Sequence, residues 1–219
     1  MNKLAIYIIT PLSGFVIMSI EVLGFRVMAT NFGSAFYISP VVIGVVVIAM
    51  SIGYYLGGWS ADRYPRLRLL GLFLLIAGIT TILIPLYKTP LNEWIFDTEV
   101  FSKPLYSAFS PDEKVNPWMW ADVFLSAFIM FFMPSMMLAC VLPFTIKLAS
   151  SDIEHAGRTS GALIAISSLG SILGVFLTSL WLINTWGIAK NLTILGIMLV
   201  ALAAMAVLWD FLFQPQRST

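Results

Sequence analysis

Glu21 and Arg26 are charged residues that fall inside an apolar stretch of the sequence. An ionisable group inside a membrane is costly, so it usually has a partner or a function. Arg26 is five residues after Glu21, and this spacing puts the two on different faces of a helix. We therefore expect each to find its partner on another helix. Two roles stay open for Glu21: a neutral, hydrogen-bonded clamp between helices, or a site for a cation or a proton.

Metal and cofactor chemistry needs clustered ligands, and this sequence has few candidates. Cys140 is the one cysteine and His155 the one histidine. Zinc, haem and iron–sulfur sites need several such ligands close together. The sequence also offers no plausible pair of a nucleophile and a base. We expect no catalytic residues, no metal, no cofactor and no enzymatic activity.

Glycines recur with a spacing of four in two stretches, at Gly53 and Gly57 and again at Gly170 and Gly174. Small residues at this spacing allow the backbones of two spanning helices to approach closely. The two pairs fall at corresponding points in the two halves of the chain. With three helices in each half, a duplication would have to be an inverted repeat. We expect all four glycines to lie at helix contacts.

The composition indicates which elements carry these residues. Hydrophobic residues make up 59% of the 219, and charged residues make up 11%. A soluble domain of this size has too much surface for so apolar a composition, so a lipid bilayer is the expected surrounding. The formal net charge of +1 gives no sign of a nucleic-acid partner.

A helix needs about 20 apolar residues to cross the hydrocarbon core. The sequence predicts an all-α integral membrane protein, with six transmembrane helices in one domain over residues 1–219. The expected helices cover about 4–26, 37–59, 69–87, 118–148, 160–186 and 192–213.

Prolines mark two departures from regular helices. Pro134 and Pro143 interrupt the fourth apolar stretch, with Cys140 between them, and they predict a hinge or a plain kink there. Residues 89–117 contain four prolines and several acidic residues, which argues against a long helix. We expect this segment to be an outer capping loop rather than a ligand lid.

Lysines and arginines near the helix ends predict the orientation, because they are enriched in cytoplasmic loops. Loops on one side of the membrane carry more lysines and arginines than loops on the other side. Both termini lie on the more basic side, so we expect both to face the cytoplasm, in a bacterial inner membrane. The residues on the more basic side are Lys3, Arg63, Arg66, Arg68, Lys147, Arg158 and Arg217.

The turn after the second helix carries the sharpest local motif. Gly53 and Gly57 lead into Asp62, which is followed by the arginines Arg63, Arg66 and Arg68. The stretch resembles the cytoplasmic loop motif of major-facilitator transporters, although Pro65 stands where that motif usually has glycine. The fold that this resemblance implies is half of a major-facilitator fold. The alternative is a basic turn whose charges only set the topology.

A wider resemblance covers nearly the whole chain. Ser13-Gly14, the run from Glu21 to Arg26, the stretch from Gly53 to Arg66, Leu142-Pro143, and the run from Gly157 to Gly174 occur in this order. Together they resemble the membrane region of spermidine-synthase-like proteins, in which a major-facilitator-type domain is fused to an aminopropyltransferase-like domain. The sequence has no glycine-rich strand–turn–helix fingerprint. We therefore expect the membrane role of that family without its catalytic domain.

Two functions follow as expectations. In the first, the chain is a non-catalytic membrane subunit that anchors a separate aminopropyltransferase-like protein at the cytoplasmic face or joins a larger membrane complex. In the second, it is a half-size transporter for a small metabolite such as a polyamine, working as a dimer. A path for a polycation should show several inward carboxylates, and Glu21 is the one found, which favours the first.

Overall fold

The computed structural model describes residues 3–33, 36, 38–109, 118–150 and 156–212, and these residues form helices joined by short connections. The predictions that concern residues 110–117, 151–155 and 213–219, including His155 and Arg217, lie outside the described residues. The helices are α1 (Lys3–Phe32), α2 (Ile38–Arg63), α3 (Leu67–Thr98), α4 (Ser102–Phe109), α5 (Met119–Ala139), α6 (Val141–Ala149), α7 (Ala156–Leu177) and α8 (Ile183–Leu212).

The all-α character predicted from the composition is confirmed for the described residues. Five stretches of the described chain are long and apolar enough to cross a membrane. α1 and the α5–α6 stretch lie at the centre of the bundle, with 56% and 61% of their most apolar window buried, against 33% to 39% for the other three. The five stretches are Leu4–Thr30, Ile38–Arg63, Leu67–Leu105, Met119–Ala149 and Ala156–Leu212.

The last of these stretches contains a sharp change of direction. A π-helical segment, Thr178–Leu182, follows α7, and Gly187 inside α8 has φ 72° and ψ 172°, which is not helical. The Asn191 side chain donates from Nδ2 to the carbonyl oxygens of Leu182 and Gly187, both at 2.7 Å. A hydrogen bond across nine residues is out of reach in a straight helix, so the chain turns between α7 and the main part of α8.

The prediction of a loop over residues 89–117 is wrong for its first part. α3 continues through Pro85 and Pro90 to Thr98, and Ser102–Phe109 form the short helix α4. A proline inside a helix costs about 3 kcal/mol, yet the helix persists because its outer turns are packed. Asn92 and Ile95 are fully buried there, and Ser126 of α5 donates a hydrogen bond to Asn92 Oδ1.

The fourth apolar stretch is interrupted at Cys140, between α5 and α6. Pro143 lacks the N–H that would bond to the Ala139 carbonyl, which explains an interruption at this point. Cys140 itself keeps helical dihedrals, and its N–H donates to the Met136 carbonyl at 3.2 Å. Pro134 lies inside α5 without breaking it. The interruption lies three residues before Pro143, and a hinge at this point stays a prediction.

Helix pairs pack through glycines. α2 packs chiefly on α5, α7 on α1, and α3 on α8. A Cβ at Gly53 or Gly57 would collide with the backbone of Met136 or Cys140 respectively, because the helices touch at these points. In the other half, a Cβ at Gly170 or Gly174 would collide with the backbone of Pro11 or Phe15.

The α3–α8 pair has the same kind of contact in a reciprocal form. A Cβ at Gly78 would lie 2.9 Å from the Gly196 carbonyl oxygen, and a Cβ at Gly196 would lie 2.8 Å from that of Gly78. Each glycine thus faces the other across the crossing. All four glycines named from the sequence, together with these two, lie where helix backbones come closest.

We predict that Gly57→Ala destabilises the protein and that Gly58→Ala does not. The added methyl group at position 57 would lie 2.5 Å from the Cys140 oxygen, whereas position 58 has open space. Overpacking of this kind costs about 1–3 kcal/mol, and alanine in place of an exposed helical glycine is neutral or mildly favourable. Thermal unfolding in detergent measures both, and equal melting temperatures for the two variants would contradict the packing.

Candidate functional site

A cleft of about 50 Å³ lies between five helices in the spanning part of the protein. α2 and α7 form its two walls and make no direct contact with each other within the described part of the chain. We call this the α1–α2–α7 cleft. The residues that line it are Ser13, Gly14, Ile17 and Met18 of α1, Met50 and Tyr54 of α2, Leu138 and Ala139 of α5, Leu142 of α6, and Ser167 and Ser171 of α7.

The hydroxyl groups in the cleft have different partners. Ser171 donates to the Gly14 carbonyl oxygen at 3.2 Å, and Ser13 donates to the Thr10 carbonyl oxygen at 2.8 Å. The Ser167 and Tyr54 hydroxyls have no hydrogen-bond partner among the described residues. Hydroxyl groups without partners in the membrane-spanning region are available to a bound molecule. No sequence motif indicates this cleft, because its serines are spread over apolar stretches.

Glu21 lies on the same face of α1 as two residues of the cleft. Gly14 and Met18 precede it by seven and three residues, and in an α-helix these spacings return to the same face. The Glu21 side chain is half-buried and makes no hydrogen bond or ion pair with a described residue. The interhelical partner expected of a clamp is therefore not found there. Arg26 is exposed and does not pair with Glu21.

A polar contact that the sequence analysis did not identify joins α1 to α7 beside the cleft. Thr178 Oγ1 donates to Ser19 Oγ at 2.9 Å, and Ser19 donates to the Phe15 carbonyl oxygen at 2.8 Å. Both side chains are fully buried. This pair lies at the start of the π-helical segment, next to the crossing at Gly174. It stabilises the α1–α7 contact with hydrogen bonds that have no competing water.

The loop motif after α2 lies at one end of the bundle with residues from other helices. Asp62 pairs with Lys147 of α6 at 2.6 Å, and Arg68 pairs with Asp210 of α8 at 2.7 Å. We call this end, with Arg63 and Arg66, the basic end. The Asp62–Lys147 pair is exposed, so it contributes at most about 1 kcal/mol. In the other pair the Arg68 side chain is 46% exposed and that of Asp210 is 12% exposed, so solvent ions screen it less.

The two remaining arginines of the motif have no carboxylate partner among the described residues. The Arg63 guanidinium lies 5.8 Å from the Trp59 ring centroid and 6.0 Å from that of Tyr64. Arg66 is exposed and starts α3 without capping it through its side chain. The motif therefore has one part tied to other helices and one part open to a partner or to anionic headgroups.

Asp122 joins α5 to the segment that precedes α4. Its carboxylate accepts the backbone N–H of Phe101 at 2.7 Å and that of Ser102 at 3.3 Å. The side chain is almost fully buried. Asp122 lies in the first turn of α5, yet its carboxylate caps the start of α4 rather than its own helix. A charge-assisted bond of this kind is stronger than a neutral one.

We predict that Asp122→Ala destabilises the protein and that Glu21→Ala has little effect on its stability in detergent. Asp122 accepts two buried backbone N–H groups, and leaving a buried donor unpaired costs about 1–3 kcal/mol each. Glu21 has no partner to lose, so its removal should stay within about 0.5 kcal/mol. The melting temperatures of both variants in detergent measure these changes in stability. A large loss of stability in Glu21→Ala would reveal a partner and restore the clamp.

Comparison with known proteins gave no match: no family model fits this chain, and neither curated proteins nor solved structures resemble it closely enough to be matched. The resemblance to the membrane region of spermidine-synthase-like proteins therefore rests on the residues that carry it.

Proposed function

We propose that this chain is a non-catalytic integral membrane subunit, and that a partner covers its α1–α2–α7 cleft inside the bilayer. The observation that carries this proposal is the position of Glu21, half-buried and without a partner among the described residues, on the α1 face that lines the cleft. A carboxylate at such depth costs about 2.5–3.5 kcal/mol when it faces lipid. A protein partner or a bound solute removes that cost.

We propose further that the subunit has six spans, with both termini on the cytoplasmic side. The stretch Ala156–Leu212 has 57 residues, far more than the roughly 20 that one crossing needs. The turn at Gly187, which Asn191 closes, divides it into two lengths that each suffice for one crossing. This division supports the fifth and sixth helices expected from the sequence.

Two inverted three-helix repeats form part of the proposal, and the matching contacts support them. Gly53 contacts the backbone of Met136, and four residues later on both helices Gly57 contacts that of Cys140. Gly170 and Gly174 contact the backbone of Pro11 and Phe15 with the same spacing of four. The reciprocal contact of Gly78 with Gly196 is what a two-fold axis between α3 and α8 would produce. Axes of this kind lie in the membrane plane in inverted repeats.

The cleft repeats the same correspondence. Met50 and Tyr54 lie three residues before and one after Gly53, and Ser167 and Ser171 lie three before and one after Gly170. The other lining residues share their spacing as well. Two, three and six residues after Met136 come Leu138, Ala139 and Leu142, and two, three and six residues after Pro11 come Ser13, Gly14 and Ile17. The proposed axis would therefore run through the cleft.

The partner is proposed as a second membrane protein of a larger complex or as another copy of this chain. α7 turns many apolar residues outward, among them Leu169 and Leu173, and α2 does the same with Val47 and Tyr55. Without a hydrophobic driving force in lipid, such helices associate through packing and polar contacts, and the open cleft supplies the polar contacts.

The resemblance to spermidine-synthase-like proteins adds a soluble partner to this proposal. An aminopropyltransferase-like protein would dock at the basic end, where Arg66 is exposed and makes no ion pair with a described residue. Exposed charges of this kind guide association more than they hold it. Arg68 and Lys147 are engaged in ion pairs, which leaves Arg66 and Arg63 for the contact.

The second candidate function is a half-size transporter that works as a dimer. The cleft favours it, because binding sites of transporters with inverted repeats lie near the bilayer midplane at the repeat interface. In this reading the second copy closes the open side of the cleft, and the solute occupies the space between the two.

We predict that Ser107→Cys and Asn184→Cys react from the same, outer side of the membrane. Both side chains are exposed, and six spans place the α4 region and the α7–α8 turn on one side. The measurement is labelling with an impermeant maleimide in a Cys140→Ala background, since Cys140 is the one native thiol. Labelling of the two sites from opposite sides would rule out six spans.

We predict that a photo-reactive residue at Ile164 forms a cross-link to the partner and that one at Ile197 does not. Ile164 lies three residues before Ser167 and seven before Ser171, on the face of α7 that lines the cleft. Ile164 is 48% exposed and Ile197 of α8 is 56% exposed, so the two side chains are similarly accessible but lie on different faces of the bundle. Cross-linking in native membranes, followed by mass determination, identifies a second copy or another protein. Equal products at both sites, or none at Ile164, would contradict the proposed face.

A further inference from the structure

We infer that the α1–α2–α7 cleft binds a small organic ammonium ion that carries one positive charge, and that Glu21 balances this charge. The inference deepens the second candidate function and rests on it, because it names the class of solute that the cleft would take. It draws on three properties of the cleft: its free hydroxyl groups, its apolar walls, and the number of carboxylates near it.

The hydroxyl groups fit an ammonium head. A primary ammonium group donates three hydrogen bonds and accepts none, so it needs oxygen atoms that are free to accept. Ser167 and Tyr54 have hydroxyls without a partner among the described residues, and they stand on opposite walls. The Tyr54 ring adds a face that attracts cations. The described residues that line the cleft include no lysine or arginine.

The apolar walls fit a short carbon chain rather than a bare metal ion. Ile17, Met18, Met50 and Leu138 line the cleft beside the hydroxyls. A hard metal cation prefers a shell of oxygen ligands, which these side chains do not provide. The volume of about 50 Å³ exceeds the roughly 30 Å³ of one water molecule. It admits the ammonium head with its first carbon atoms, and the rest of the ligand extends into the open side.

The number of carboxylates sets the charge of the ligand. Glu21 follows Met18 by three residues on the same face of α1, about 4.5 Å further along the helix. The other carboxylate in the described parts of α1, α2 and α7 is Asp62, which pairs with Lys147 at the basic end. One ionised carboxylate neutralises one positive charge. The further positive charges of a polyamine would have neither a carboxylate nor water to stabilise them in the cleft. The cleft should therefore favour a monoamine over spermidine.

Propylammonium is a suitable probe, and isothermal titration calorimetry on the purified protein, with any partner that copurifies, measures its binding. We expect saturable binding to the natural protein, binding at least tenfold weaker to Glu21→Gln, and unchanged binding to Glu93→Gln. Glu93 is an exposed carboxylate on α3, so it controls for the loss of one negative charge. Spermidine should bind no more tightly than propylammonium. Thermal unfolding of each variant establishes that it is folded.

Three results would overturn the inference: no propylammonium binding, equal binding to the natural protein and Glu21→Gln, or stabilisation by sodium ions alone. Should Glu21→Gln fail to fold, Tyr54→Phe takes its place, because it removes one acceptor and keeps the shape of the wall. An unchanged affinity in Tyr54→Phe would then count against the site. Cross-linking at Ile164 tests the partner separately. A cross-link without amine binding rejects this inference alone, and the absence of both rejects the proposed function as well.

Discussion

Contact between helix backbones at glycines is the constraint on which the other features of this protein depend. In lipid the helices gain no hydrophobic driving force from associating, so they rely on close packing. Three crossings provide it: Gly53 and Gly57 join α2 to α5 and α6, Gly170 and Gly174 join α7 to α1, and Gly78 meets Gly196 between α3 and α8. These crossings determine which helices are neighbours and how far apart the others stay.

The α1–α2–α7 cleft follows from this arrangement of pairs. α2 is held against α5, and α7 is held against α1, so α2 and α7 remain apart and a gap opens between them. Tyr54 and Ser167, whose hydroxyl groups have no hydrogen-bond partner among the described residues, line this gap. The same packing that brings the backbones together therefore leaves a polar opening in the spanning region, where a partner or a solute is energetically favourable.

The sequence predicted those parts of the structure that depend on local composition. The all-helical membrane character follows from apolar content, and the positions of the four glycines follow from their spacing, because only small residues permit such crossings. The helical stretch beyond Pro90 was missed, since the burial of Asn92 and Ile95 against α5 outweighs the cost of the prolines. The cleft and the capping of Phe101 by Asp122 depend on distant parts of the chain meeting, which a single sequence does not show.

The ion pairs at the basic end and Glu21 near the cleft differ in electrostatic free energy. This difference indicates at which of the two places a partner would gain more binding free energy. The Asp62–Lys147 pair is exposed, so it is worth at most about 1 kcal/mol, and Arg68 is already paired with Asp210. Glu21 facing lipid costs about 2.5–3.5 kcal/mol, which a partner in the bilayer recovers when it covers the cleft. The arginines of the basic end steer a soluble partner without holding it tightly. Stable association should therefore be decided at the cleft, and the basic end should affect the rate of encounter.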